Sequence, residues 1–266
     1  MQLQESVDDL KARGVGLAAI SYDPPATLKT FADHRGITFP LLSDTGSATI
    51  KRYGILNAEA AGRNAGIPHP GTFVIDARGV VVSRSFEEKY QERASAVNIL
   101  TRAEGEDIRQ RPASPRASIV ETPHLIATTS ASDARVAPGT RFSLLIDIAP
   151  KPKMHVYAPA QKDYIPVSIS LREDPAARAH PPVFPKAEKY FFAPLKETQL
   201  VYSKPFRIVQ DVTVALTPAV REQARAAGAT LRIDGTLRYQ ACDDAICYLP
   251  KEIPVSWTVR LRGLER

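Results

Sequence analysis

Only two cysteines occur in the chain. Both stand in one stretch, Arg238-Tyr239-Gln240-Ala241-Cys242-Asp243-Asp244-Ala245-Ile246-Cys247-Tyr248-Leu249-Pro250. Upstream, Thr230 to Tyr239 alternates polar and apolar residues, and downstream Ile253 to Val259 does much the same. Strict alternation marks a half-buried strand. Two strands joined by a short Asp-rich link predict a hairpin with one cysteine near each side of its mouth. Facing residues of an antiparallel pair have Cα atoms about 4.5–5.5 Å apart, within disulfide range. Three readings stay open for the pair. A structural disulfide closing so short a loop contributes only about 2 kcal/mol. A closed metal site needs four ligands, and no second Cys/His cluster is in view. A redox couple is favoured, because a chain of this length can bury a core without a staple.

The words Tyr239-Gln240-Ala241-Cys242 and Cys247-Tyr248-Leu249-Pro250 resemble the active-site loop of the N-terminal periplasmic domain of the thiol:disulfide interchange protein DsbD. The resemblance covers about residues 120–261. It implies an immunoglobulin-like fold whose cysteines, Cys242 and Cys247, pass electrons, with Tyr239, Gln240, Asp243, Asp244 and Tyr248 around them. Met154-His155-Val156-Tyr157 stands where that family has an aromatic strand end beside the cysteines, so His155 and Tyr157 join the candidate site. Tyr190-Phe191-Phe192 stands where it has a loop whose ring shields the disulfide. Which of the three is the cap stays open. The plain alternative is that these rings are core and His155 is packed or solvated.

From Ile119 onward the pattern is β throughout, with runs at Arg141–Ile148, Val167–Leu171, Phe206–Val209 and Val212–Leu216 between Pro- and Gly-rich turns. Short strands at such spacing predict a sandwich. Thr217 to Ala227 predicts a helical insert.

The first hundred residues read differently. Leu3–Arg13 has helical spacing and Gly14 ends it. Val15–Ser21 is an apolar run suited to a buried parallel strand. Ala26–His34 is a helix stopped by Gly36. Phe39–Asp44 is a short strand, followed by a helix to Tyr53. Thr72–Asp76 and Val80–Arg84 form a hairpin around Arg78-Gly79, and Tyr90–Leu100 closes the half as a helix. This order is α/β. With the words Gly14 to Ser21, Phe39 to Asp44 and Pro70 to Asp76, it resembles the alkyl hydroperoxide reductase/thiol-specific antioxidant (redoxin) branch of the thioredoxin-like proteins. In that family a first strand and the catalytic cysteine come earlier, and this sequence has no cysteine before Cys242. We therefore expect an N-terminally incomplete thioredoxin-like domain that does no peroxidase chemistry of its own. The resemblance also places a cis proline at Pro70, against the alternative of an ordinary trans turn proline. His69 beside it reads as an exposed loop histidine.

The expected plan is a thioredoxin-like domain over 1–102, a linker over 103–118 rich in charge and proline, and a β-sandwich over 119–266. The net charge of +6 is scattered, and no aromatic–basic stripe suggests nucleic acid. No apolar run approaches the ~18–20 residues of a membrane span. Gly14-Val15-Gly16 precedes a strand, so it is no dinucleotide loop, and no cofactor is expected. Met1–Asp9 lacks an apolar leader core. A genuine start at Met1 predicts the cytoplasm, whereas the DsbD-like half predicts the periplasm. We favour a start that lies upstream of the given one.

The expected function is thiol–disulfide exchange with thioredoxin-like partner proteins through Cys242–Cys247. Asp243 and Asp244 disfavour a standing thiolate at Cys242. Cys247, with uncharged neighbours, is the sulfur expected to be attacked first. The rivals are a binding module with a structural disulfide, and a peroxiredoxin-type enzyme truncated before its cysteine. Oligomeric state is not readable from the sequence.

Overall fold

The structure is a computed structural model that describes residues 2–62, 65–86, 92–103, 118–192 and 196–263. The expected linker falls on 103–118, of which 104–117 lie outside the described residues, as do 87–91 at the start of the expected closing helix. The chain divides into two compact units, Met1–Ala103 and Glu104–Leu264.

The first unit runs α1 (Gln2–Glu5), α2 (Val7–Ala12), β1 (Ala19–Ser21), α3 (Pro25–Arg35), β2 (Leu41–Ser43), α4 (Ala48–Arg52), β3 (Gly71–Ile75), β4 (Val81–Phe86), β5 (Arg93–Ala94) and α5 (Ala96–Ala103). Its starts and stops follow the local chemistry. Gly36 takes the left-handed conformation that ends α3. The Asp44 carboxylate accepts from the Ala48, Thr49 and Ile50 amides and so satisfies the open end of α4. β1 and β2 pair in parallel, Ile20 opposite Leu42, and β3 and β4 form the expected hairpin. Two expectations need correction. The apolar run at 15–21 is not a buried strand: only Ala19–Ser21 is extended, and Ile20 and Leu42 are 40% and 51% exposed. Among the described residues the sheet they form has two strands, and Ile20 and Leu42 line an open pocket with Thr27, Leu28 and Phe31 of α3. Pro70 is not cis, since all peptide bonds of the described residues are trans. The chain before it runs extended beside 55–57, held by His69 N to Ile55 O at 2.7 Å and Asn57 N to Ile67 O at 3.0 Å. That ladder leaves in place the preference of about 0.5–1 kcal/mol for trans.

Among its described residues the second unit is all-β apart from one short helix. Its strands are β6 (Ser118–Glu121), β7 (Leu125–Ala131), β8 (Arg135–Val136), β9 (Thr140–Pro150), β10 (His155–Tyr157), β11 (Ser168–Leu171), β12 (Ala177–Ala179), β13 (Glu188–Phe192), β14 (Glu197–Tyr202), β15 (Phe206–Val214), β16 (Thr230–Tyr239), β17 (Ala241–Cys242) and β18 (Lys251–Leu261). One sheet has the order β12-β15-β9-β7-β6 and a second β11-β16-β18-β8. Phe142, Leu144, Ile146 and Ile148 from the first meet Leu231, Ile233, Val255 and Trp257 from the second in one buried core. Trp257 Nε1 donates across to the Leu145 carbonyl at 3.4 Å. This is the expected sandwich, with alternating inward residues supplying the hydrophobic term.

The strands expected at 206–209 and 212–216 are one, Phe206–Val214, in unbroken register with β9. Gln210 and Asp211 look like a polar break but are satisfied in place. Ser143 Oγ donates to Asp211 Oδ1 at 2.9 Å, and the Gln210 amide donates to the His180 carbonyl. The helical insert is α6 (Pro218–Gln223), shorter than expected, with Thr217 Oγ1 accepting from the Val220 amide. A third, small sheet, β13-β14-β10-β17, carries the cysteines.

Candidate functional site

The hairpin β16–β18 closes at Tyr239 opposite Lys251, and the cysteines lie in the connection beyond it. After Gln240 the chain leaves this sheet. Residues 241–242 pair instead with β10, Val156 opposite Ala241 and His155 opposite Cys242. Gln240 ties the crossing down, donating to the Tyr248 carbonyl and accepting from the Ile165 amide, both at 3.2 Å. Tyr239 is buried beneath, its hydroxyl donating to Thr122 Oγ1 at 2.9 Å.

Cys242 and Cys247 are joined in a disulfide with Cα atoms 4.0 Å apart. The two sulfurs differ in access: Cys242 is 1% exposed and Cys247 stands at the surface. The loop between them is wound around Asp243. Its Oδ1 accepts from the Ala245 and Ile246 amides, each at 2.8 Å, and its Oδ2 accepts from the Tyr248 hydroxyl at 2.9 Å. The Ile246 amide, then the Ala245 amide and the Tyr248 hydroxyl, hold the carboxyl below the usual aspartate range. Asp243 therefore builds the loop. Tyr248 in turn lies against His124 with ring centroids 4.5 Å apart.

Tyr157 is fully buried under the disulfide. Its hydroxyl is 3.1 Å from Cys242 Sγ and 3.2 Å from Cys247 Sγ, and since disulfide sulfurs carry no proton the hydroxyl is the donor. Burial first, then the neighbouring Tyr164, Glu197 and Tyr190, push its titration far above neutrality, so it stays a donor. Tyr164 stacks on it at 4.2 Å. The Tyr164 hydroxyl donates to Glu197 Oε1, which also accepts from Gln199 Nε2 at 2.6 Å. Tyr164, Glu197 and Gln199 escape sequence reading. A lone inward polar residue on a strand such as Gln199 is a faint sign of a buried network, and its partner lies 35 positions away.

Of the three candidate cap rings, Tyr190 is the one that packs against the cluster of Tyr157, Val201 and Cys242. It lies 4.8 Å from His155, and its hydroxyl donates to Asp244 Oδ1 at 2.9 Å. Phe191, its neighbour on the other face of β13, is 61% exposed, and Phe192 is half-buried. His155 is 3% exposed. Burial holds its imidazole below the ordinary histidine value, opposed by the charges of Asp244 and Asp243. Pro70 belongs to the other unit. Among the described residues no helix is long and apolar enough to cross a membrane.

Comparison with known proteins matches two parts of the chain to two families. Residues 1–84 match the AhpC/TSA family. Over 82 residues the chain is 38% identical to alkyl hydroperoxide reductase E of Mycobacterium tuberculosis, covering 30% of this chain and 50% of that protein. It is 32% identical to peroxiredoxin Bcp of Escherichia coli K12 over 80 residues, 30% of this chain and 51% of that one. The chain thus spans about half the length of the curated relatives it matches. Among solved structures, the N-terminal periplasmic domain of ScsB from Proteus mirabilis matches at TM-score 0.39 and 12% identity, covering 56% of this chain and 52% of that one. The reduced N-terminal domain of DsbD from Neisseria meningitidis matches at TM-score 0.29 and 18% identity, covering 46% and 78%. The first part of the chain is a redoxin-like, thioredoxin-type region, and the second an immunoglobulin-like domain with a disulfide-forming cysteine pair, a combination consistent with thiol–disulfide exchange. Residues 122–256, half of the chain, match the N-terminal domain of the thiol:disulfide interchange protein DsbD, and the protein belongs to that family.

Proposed function

We propose that the protein is a periplasmic electron relay whose Cys242–Cys247 pair exchanges disulfides with thioredoxin-like partners, on a domain plan of 1–102, 103–118 and 119–266. The observation that carries the reading is the asymmetry of the pair: an exposed Cys247 joined to a buried Cys242, with one hydroxyl reaching both sulfurs. A partner thiolate attacks Cys247 Sγ. The new bond joins the partner's sulfur to Cys247, the Cys242–Cys247 bond breaks, and its electron pair goes to Cys242 Sγ. Tyr157 then donates its hydrogen bond to that sulfur as charge develops there, the point at which such a bond is strongest. The partner's second thiolate attacks its own sulfur in the mixed disulfide, and Cys247 leaves with the electron pair. The two protons that the partner's thiols give up end on Cys242 and Cys247. The reverse sequence passes the electrons to another disulfide protein.

The exposed apolar side chains of Ile246, Leu249 and Phe191 offer a partner a dry rim. Tyr190 acts as the cap, because its ring covers the Cys242 side and is tied to the cysteine loop. Cys242 and Cys247 are the two cysteines of the given sequence, so the exchange is assigned to this pair.

The test is trapping. With Cys242→Ser, Cys247 should form a stable mixed disulfide with a thioredoxin-like protein that keeps only its attacking cysteine, resolved on non-reducing gels. With Cys247→Ser, the buried Cys242 should trap little. Trapping through Cys242 alone, or none with either variant, would leave a binding module with a structural disulfide.

A further inference from the structure

His155 is a buried titratable group that the exchange steps above leave unused. β10 sets it directly opposite Cys242. Such cross-strand neighbours have Cβ atoms about 4.5–5.5 Å apart. Its Nε2 is buried with no hydrogen-bond partner. Tyr190 lies against the ring at 4.8 Å and Tyr157 meets it edge-on at 5.8 Å, so aromatic carbon lines two sides of it. A native fold rarely leaves a buried polar atom bare, and each such atom calls for an explanation. In the oxidised pair the opposing sulfur has no proton to give and is a weak acceptor. Reduction turns it into a thiol or thiolate, which is the partner Nε2 lacks.

We propose that His155 is the proton-holding partner of Cys242: when reduction frees the buried sulfur, His155 Nε2 hydrogen-bonds to Cys242 Sγ and the two groups share one proton. The inference rests on the reading that the pair is exchange-active. The S–S bond gives its electron pair to Cys242 Sγ, and the shared proton is one that the reductant's thiol released. No other co-reactant is needed. The charged groups facing His155 are Asp243 and Asp244 on the cysteine loop. Tyr190 on β13 and Tyr157 on its own strand have raised titrations and stay neutral. A thiolate opposite the ring adds an attraction that the oxidised state lacks, so the proton affinity of His155 rises on reduction. By linkage, acidification through the His155 range also favours the reduced pair.

The chain has five histidines, few enough to assign by single substitutions and follow in an NMR pH titration of the full chain. His155→Gln identifies the signal. The expected result is a His155 midpoint that climbs by about one pH unit or more, a tenfold gain in proton affinity, when excess phosphine reduces the protein. His124 is the internal control: it is buried with a bare Nδ1, but it packs on Tyr248 and faces Lys251 and Lys151. Its midpoint should move less. In Cys242→Ala, phosphine should move neither. A His155 midpoint that stays or falls on reduction overturns the proposal, as does an equal rise in Cys242→Ala. If the pair proves inert toward thioredoxin-like proteins while the midpoint still rises, the relay reading fails and the proton partner stands. Brisk exchange without the rise sinks this inference alone.

Discussion

Replacing Tyr157 by Phe isolates one hydroxyl. The ring keeps its stack on Tyr164, and what goes is the donor 3.1 and 3.2 Å from the two sulfurs. In the oxidised protein the loss is small, because a disulfide sulfur is a weak acceptor and suffers little when left bare. In the reduced protein the acceptor is a thiol or thiolate. A hydrogen bond to a neutral group contributes about 0.5–1.5 kcal/mol and one to a charged group about 1.5–3 kcal/mol. The difference, about 1–1.5 kcal/mol, falls on the reduced state alone. For a two-electron couple, 30 mV corresponds to about 1.4 kcal/mol, so the variant's potential should be about 20–30 mV more negative. The same loss at the leaving sulfur should slow reduction by a thioredoxin-like protein by roughly 5–10-fold. Equilibration in dithiothreitol and glutathione buffers, with the free thiols alkylated and counted by mass, reads the potential, and thermal melts of the oxidised variant check the fold. A potential that moves upward, or a potential and rate both unchanged in a folded variant, would refute the role given to Tyr157.

Three further outcomes are expected. Asp243 has its carboxyl titration depressed by the loop's own amides and Tyr248. The loop's stabilisation is therefore complete above the ordinary aspartate value of 3.8 and is lost as the pH falls through the depressed one. Asp243→Asn, which keeps an acceptor for the amides, should remove this acid step in hydrogen exchange of the Ile246 amide. Tyr190→Ala should raise the rate of reduction by a small thiol severalfold while Phe191→Ala leaves it unchanged; equal effects would show that Tyr190 is not the cap. Gly235 has no room for a side chain, since a Cβ there would lie 2.7 Å from the Ser170 carbonyl and 2.9 Å from Leu171. Gly235→Ala should cost about 1–3 kcal/mol in urea unfolding, and a loss below about 0.5 kcal/mol would contradict the tight β11–β16 approach.

The alternation of 230–239 and 253–259 made β16 and β18 legible, because each strand buries one face against one core. Asp44 and Gly36 marked element ends for equally local reasons. The cysteine loop was readable as a hairpin mouth, but its crossing to pair with His155 was not. Nothing near Cys242 in the chain names a partner 87 positions away. The network under Tyr157 was hidden for the same reason: Tyr164, Glu197 and Gln199 gain meaning only when two strands meet. Gln210 and Asp211 misled in the opposite direction, since polar residues signal a break unless distant groups satisfy them. The run at 15–21 was over-read because apolar composition records a tendency to be covered, and a pair of three-residue strands leaves Ile20 and Leu42 partly in solvent.

The most direct test of the relay is the reduction potential of the Cys242–Cys247 pair in the intact chain. Structural disulfides of secreted proteins lie below about −300 mV, and exchange-active ones are more oxidising. An exchange-active Cys242–Cys247 pair should give a value well above that limit, with rapid reduction by a thioredoxin-like protein. A value below it, with no exchange, would contradict the account and leave Cys242–Cys247 as a staple.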